Sequence, residues 1–214
     1  MKLQAILFDL DGVLIDTESQ YDVFWKQKGE EYQLCIENFE RVIKGTTLPN
    51  IISRYFSHLP VEEQQRLKNA NHAFDQQMTF DPIPGALEFL EEVKAAGLKV
   101  GLVTSSDDAK LKAVFQARNF DGVFDTVVSA DRITDGKPHP MCYLLAAQDL
   151  GIAPENCVVF EDSFQGIEAG NAAGMTVVGL STTNPAESIQ DKVFRVIPHF
   201  LKFSLQDIRF SDTR

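Results

Sequence analysis

Cysteine is scarce. The 214 residues hold three, Cys35, Cys142 and Cys157, with no CxxC spacing and no even set. That argues against a disulfide framework and suits a reducing cytosol, with Cys142 and Cys157, both in apolar stretches, as buried inert thiols. Positive charge is scarce too. Twenty Lys and Arg stand against 31 Asp and Glu, a formal net charge of −11. Nucleic acid and anionic membranes are therefore disfavoured as partners. An anionic substrate would have to be attracted locally, by a metal ion or a few basic side chains. Long apolar runs are absent. No stretch approaches the roughly 18 residues of a membrane span, and the first apolar run is too short, and ends in acids too soon, for a signal peptide. There is no internal repeat or low-complexity segment, and nothing demands more than a monomer. What remains is ordinary globular material, 44% hydrophobic and 24% charged, long enough for one large domain or a domain plus a smaller one.

The chain is organised around Phe8 to Glu18, FDLDGVLIDTE. Gln4 to Asp9 reads as a buried strand that runs into a turn at Gly12 and leaves Asp9 and Asp11 at its carboxyl end, where open α/β sheets place ligands. Two acids about 6–7 Å apart can hold a divalent cation and divide nucleophilic and proton-transfer work. From Thr17 the period turns helical. Tyr21, Phe24, Trp25 and Lys28 share a face, with Gly29 as a stop. Leu48, Ile51, Ile52, Tyr55, Phe56 and Leu59 form an amphipathic helix ended by Pro60, and Leu67, Ala70, Phe74 and Met78 give another. Residues 15–81 therefore read as a helical module without strands, inserted between segments 1–14 and 82–214. After Asp81-Pro82-Ile83-Pro84-Gly85 the pattern alternates. Strands are predicted at 99–104, 124–129, 157–161 and 175–180, and helices at 86–96, 108–118, 138–150 and 163–173. Asn184-Pro185-Ala186-Glu187 looks like the cap of a last helix, before an edge strand at 193–197. The fold class is α/β, a doubly wound parallel sheet with a helical insertion. The strand ends carry Asp9 and Asp11, then Thr104-Ser105-Ser106, then Lys137 in GKP, then Glu161-Asp162-Ser163. Acids, a hydroxyl and a lysine at one edge are the parts phosphoryl transfer needs. A hard all-oxygen site with room for water and phosphate suits Mg²⁺ better than Zn²⁺. Ser163 reads as a helix N-cap, and Gly166 and Gly170 as close-packing positions.

DLDGV at 9–13, the apolar run ending in Thr104, GKP around Lys137 and FEDS at 160–163 occur in that order. Over residues 5 to about 180 the chain resembles the haloacid dehalogenase superfamily, in the branch of β-phosphoglucomutase and small sugar-phosphate phosphatases. The resemblance implies a Rossmann-like core with a helical cap. It implies Asp9 as the nucleophile that becomes an aspartyl-phosphate, and Asp11 as acid and then base, with its carbonyl on the metal. Thr104 and the Ser105 amide would hold phosphate oxygens, with Ser106 beside them. Lys137 would bridge Asp9 and the phosphate. Asp162 would ligate Mg²⁺ together with Asp9, and Glu161 would be a further ligand, direct or through water.

Asp11 argues against a dehalogenase, which needs no acid for a halide, and the DxD pair argues against phosphonate hydrolysis. A phosphomonoesterase and a phosphoglucomutase remain. Four positions depart from the mutase pattern: Tyr21 where it has a cap histidine, Leu48 where it has a cap arginine, and Asp107-Asp108 where it has Lys-Asn. Two carboxylates there would repel a distal phosphate. The expected function is thus Mg²⁺-dependent hydrolysis of a small sugar or polyol phosphate. Tyr21, Lys44, Thr46 and Thr47 are the expected cap contacts, and a hydroxyl-rich, weakly cationic cap suits a neutral sugar. Trp25 reads as cap packing. The alternatives are β-phosphoglucomutase and a non-catalytic binding protein on the same fold. A response-regulator receiver fits poorly, because its acceptor Asp stands alone on a later strand. His58, His72, His139 and His199 fall outside the motif set.

Overall fold

The computed structural model describes residues 2–208. Strand β1 (Ala5–Phe8) is wholly buried, and its AILF sequence explains why: with both faces covered, a parallel strand has no solvent side and carries no polar alternation. It pairs in parallel with β4 (Lys99–Val103) on one side and β6 (Cys157–Glu161) on the other. Two intervening two-residue strands, β2 (Ile15–Asp16) and β3 (Asp81–Pro82), pair with each other outside this sheet. With β5 (Thr126–Val128), β7 (Thr176–Leu180) and β8 (Arg195–Ile197) the main sheet runs β5-β4-β1-β6-β7-β8, all parallel. Strand order reverses at β1. The crevice outside its carboxyl end is therefore the topological switch point.

Side chains alternate across the two faces. Ile6, Phe8, Val100, Leu102, Val158 and Phe160 pack on one side against α5 (Ala86–Ala95) and α6 (Asp108–Arg118). Ala5, Leu7, Val103, Cys157 and Val159 pack on the other against α7 (Met141–Leu150) and α8 (Phe164–Ala172). Phe8 stacks on Phe160 at 5.3 Å and Phe89 on Phe200 at 5.2 Å, so an aromatic cluster lies beneath the carboxyl end of β1 and stiffens the floor of the crevice. Cys142 and Cys157 are buried free thiols and Cys35 is exposed. No helix among the described residues is long and apolar enough to cross a membrane.

Between β2 and β3 lie α1 (Glu18–Glu31), α2 (Phe39–Val42), α3 (Leu48–Tyr55) and α4 (Val61–Asp75), around a separate core of Phe24, Trp25, Phe39, Ile43, Ile51, Ile52, Phe56 and Leu67. Several sequence expectations fail locally. Gly29 does not stop α1. A Cβ there would lie 3.1 Å from the Phe39 ring, so the glycine admits α2 rather than ending α1. The helix from Leu48 ends at Tyr55, because Phe56 turns into the core and is fully buried. Pro60 instead caps α4. The stretch 15–81 is not free of strand, since β2 and β3 form a short antiparallel ribbon where the chain leaves and re-enters the core.

Gln20 clips that ribbon. Its amide donates to the Thr79 carbonyl at 3.0 Å and its carbonyl accepts from the Thr79 amide at 3.0 Å. Gln20→Ala is expected to lower unfolding stability by about 1–2 kcal/mol, two modest exposed hydrogen bonds, measured by urea denaturation. A variant as stable as the wild type would show that the clip does not fasten the cap.

Candidate active site

The carboxyl ends of β1, β4 and β6 bring Asp9, Asp11, Thr104, Lys137, Glu161 and Asp162 together. Asp9 leaves β1 with its amide bound to the Phe160 carbonyl at 3.0 Å. Lys137, on the loop before α7, lies beneath it with a side chain 2% exposed. Its Nζ is 2.6 Å from Asp9 Oδ1 and 2.5 Å from Glu161 Oε1. Burial alone would lower the proton affinity of that ammonium, but the two carboxylates outweigh burial and raise it. Asp9 is pushed up to about 8, first by burial and then by Glu161 and Asp11, against the pull of Lys137. Asp162 is driven up by burial and by Glu18, Glu161 and Asp9. Oxygens of Asp9, Glu161 and Asp162 lie within 4.8 Å of one another. This excess of buried negative charge over one lysine fits a divalent cation, and the all-oxygen donor set fits a hard one.

The acids are not equivalent. Glu161 Oε1 accepts from Lys137 and from Tyr143 Oη at 2.8 Å. Oε2 accepts from the Asp162 and Ser163 amides and from Ser163 Oγ at 3.0 Å. Five donors occupy a carboxylate with about four lone-pair directions. Its oxygens are taken up by protein donors, so of the two expected roles, direct ligand or ligand through water, the second fits this geometry better. Gly166 shapes this arrangement, since a Cβ there would fall 1.7 Å from Glu161 Oε1. Ser163 is the N-cap of α8, its Oγ accepting from the Gly166 amide. Asp162 is held from the loop after β7, by Thr183 Oγ1 on Oδ2 and Asn184 Nδ2 on its carbonyl at 2.8 Å. Asn184 is thus not the expected helix cap. Pro185 takes that position before α9 (Ala186–Ile189).

Thr104 Oγ1 accepts from the Ser106 amide at 3.0 Å, which leaves its proton free to donate into the crevice. Ser105 Oγ donates to the Gly45 carbonyl of the cap at 2.8 Å, and Ser106 Oγ donates to Asp11 Oδ2 at 3.0 Å. Asp11 also accepts from Thr17 Oγ1 and, at 2.6 Å, from Lys110 Nζ. Burial opposes the charged form of Asp11, but Lys110 and the bonds from Lys110, Thr17 and Ser106 outweigh it and hold Asp11 below the usual carboxylate range.

Lys110 is the residue sequence reasoning missed. It is 3% exposed, and its Nζ also lies 4.4 Å from the centre of the Tyr21 ring. Of the Asp107-Asp108 pair, only Asp107 lines the crevice. Asp107 caps α6 and meets His72 Nε2 of the cap at 2.9 Å, and the Asp108 amide is turned toward Asp131. A cation missing from position 107 is supplied one helical turn later.

A cavity of about 110 Å³ separates this floor from the cap. Tyr21, Lys44 and Thr46 line it, as does Trp25, which also packs in the cap core. Thr47 does not. It is buried, with its methyl facing Gly136. Tyr21 Oη is bound to Asp75 Oδ1 at 2.5 Å. Lys44 is engaged by Glu18 at 2.5 Å and Asp22 at 2.8 Å, so the roof is not weakly cationic as expected.

Lys110→Met would leave the half-buried Asp11 without its cation. Because the folded-state proton affinity of Asp11 is depressed, the pair stabilises the fold above the unfolded carboxylate range and loses that effect as pH falls through the folded value. The variant is expected to be less stable by about 3–5 kcal/mol at pH 7. The deficit should shrink below about pH 4, followed by denaturant midpoints. A pH-independent deficit would mean that Lys110 acts through packing alone.

The chain matches the family model described as haloacid dehalogenase-like hydrolase over residues 6–180. It is 32% identical to the phosphorylated carbohydrates phosphatase of Thermotoga maritima over 81% of this chain and 82% of that one. It is 30% identical to hexitol phosphatase A of Escherichia coli over 94% and 93%. The crystal structure of β-phosphoglucomutase from Clostridium difficile superposes with a TM-score of 0.81 at 27% identity, over 96% of this chain and 95% of that one. With the motif residues gathered at the switch point of a parallel sheet, these likenesses show that the chain belongs to the haloacid dehalogenase-like hydrolases.

Proposed function

We propose that the protein is a Mg²⁺-dependent phosphomonoester hydrolase acting on a small sugar or polyol phosphate through an aspartyl-phosphate at Asp9. Lys137 engages one oxygen of Asp9 and leaves the other to attack phosphorus in line. As the Asp9–phosphorus bond forms, the ester bond breaks and the leaving oxygen takes a proton from Asp11. Asp11, now a carboxylate, removes a proton from the water that attacks the phosphoenzyme, and inorganic phosphate leaves with Asp9 restored. The Lys110 ammonium and the hydroxyls of Thr17 and Ser106 beside Asp11 favour the carboxylate form this second step needs. An arriving phosphate dianion would raise its proton affinity for the first. Thr104 and the Ser105 amide would bind non-bridging oxygens. Asp9, the Asp11 carbonyl and Asp162 would hold Mg²⁺, which supplies charge neutralisation for the phosphoryl oxygens.

The observation that favours hydrolysis over mutation is the state of the basic side chains lining the cavity. Lys44 and Lys110 are each paired with carboxylates, and Glu40, Asp75 and Asp107 line the same space. A second phosphate, which a mutase must hold, would meet no uncommitted cation among the described residues that line the cavity. Names of relatives such as the phosphorylated carbohydrates and hexitol phosphatases agree with a sugar or polyol ester.

With Mg²⁺, phosphate release is expected from several hexose and polyol phosphates, lost in Asp9→Asn and on chelation. β-Glucose 1-phosphate should give phosphate rather than glucose 6-phosphate. Isomerisation with little release would instead establish the mutase. Millimolar Mg²⁺ should stabilise the protein by about 1 kcal/mol through binding to the native state, and Asp162→Asn should lose that gain. An unchanged melting temperature with and without Mg²⁺ would count against the metal site.

A further inference from the structure

The roof of the cavity holds two polar groups that phosphoryl transfer itself does not use. Asn71 and Asp75 stand four residues apart on α4, so they share one helix face a turn apart. Both line the cavity, with exposures of 6% and 3%. Asn71 makes no side-chain hydrogen bond to any described residue. Asp75 has one partner: Oδ1 accepts from Tyr21 Oη, and no described donor meets Oδ2. Their unpartnered atoms open onto the cavity rather than being sealed in the core, and an amide or carboxylate oxygen left there without a partner once water is displaced is costly. These groups therefore await partners that enter the cavity, water in its absence and substrate in its presence. Their surroundings restrict what enters. Lys110 is engaged by Asp11 and Lys44 by Glu18 and Asp22, while Glu40 and Asp107 add negative charge. An anionic substituent is repelled, whereas a hydroxyl can donate to Asp75 and exchange hydrogen bonds with the Asn71 amide.

We propose that Asn71 and Asp75 form a diol-reading subsite that selects a neutral leaving group with two neighbouring hydroxyls, one donating to Asp75 Oδ2 and the other bonded to Asn71. The subsite rests on the hydrolase assignment above and specifies its substrate class: polyol or sugar monophosphates, without a second phosphate or a carboxylate. Selectivity of this kind is strong, because an analogue lacking the hydroxyl strands the polar group once water is excluded.

The test is a cycle of substrate and enzyme deletions. Turnover of glucitol 6-phosphate, its single-deoxy analogues and hexyl phosphate is measured with the wild type, Asn71→Ala and Asp75→Asn. The wild type is expected to lose about 30-fold or more in kcat/KM when one of two adjacent hydroxyls is removed. Each variant should reduce one of those two penalties to within about 3-fold. The ratio is taken within each variant, so partial misfolding cancels. Full penalties retained in both variants would overturn the proposal. So would equal wild-type turnover of hexyl phosphate and glucitol 6-phosphate, or a preference for an amino-deoxy analogue over the parent polyol. Absence of any turnover would sink the hydrolase assignment and the subsite with it. Turnover without hydroxyl discrimination would sink the subsite alone.

Discussion

A single buried ammonium holds the catalytic floor together. Lys137 stands between Asp9 and Glu161, within 2.6 and 2.5 Å, where water scarcely reaches Lys137 or Glu161. Buried charges persist only when paired and fully hydrogen-bonded. That requirement explains the neighbours. Tyr143, Ser163 and two amides at the start of α8 complete the coordination of Glu161, so its second oxygen is fixed by the same turn that carries Asp162. Glu161 thus fixes Lys137, Lys137 fixes one oxygen of Asp9, and the other oxygen faces the crevice. The residual negative charge, on Asp9 and Asp162, is what a divalent cation would balance.

The cap takes part in the same network rather than merely covering it. Gly45 accepts from Ser105, His72 meets Asp107, and the Tyr21 ring lies over the lysine that holds Asp11. Each contact joins a residue of the inserted helical module to the loop or helix after β4. Opening the cap would break all of them and expose Lys110 and Asp11 to water. In the proposed mechanism, closure would couple exclusion of water to the electrostatic state of Asp11.

The sheet and the floor of the site were legible in the sequence because both rest on strong local signals. Continuous apolar runs marked the parallel strands, and acids or hydroxyls at their ends marked the edge where these side chains meet. The pieces that escaped depend on contacts between distant segments. Lys110 precedes Leu111 and Val114 in α6 and shares a face with Val114, four residues on, so its burial was discernible. Its partner Asp11 lies 99 residues away and left no local trace. Asn184 looked like a helix cap because its spacing to Glu187 is that of a capping box, yet its side chain reaches back to the Asp162 carbonyl. Gly29 looked like a stop and proved to be a gap for Phe39. Sequence alone makes Lys44 a cap contact in a weakly cationic cap, because neither Glu18 nor Asp22 adjoins it in sequence.

The central claim is that Asp9 itself carries the phosphoryl group. It is tested most directly by acid-quenching the Mg²⁺-loaded enzyme during turnover of glucitol 6-phosphate and sequencing its peptides by mass spectrometry. The account predicts one added phosphoryl group on the peptide containing Asp9, located on that residue and absent from Asp9→Asn. Rapid phosphate release with no phosphorylated peptide, or with the phosphoryl group on another residue, would contradict it.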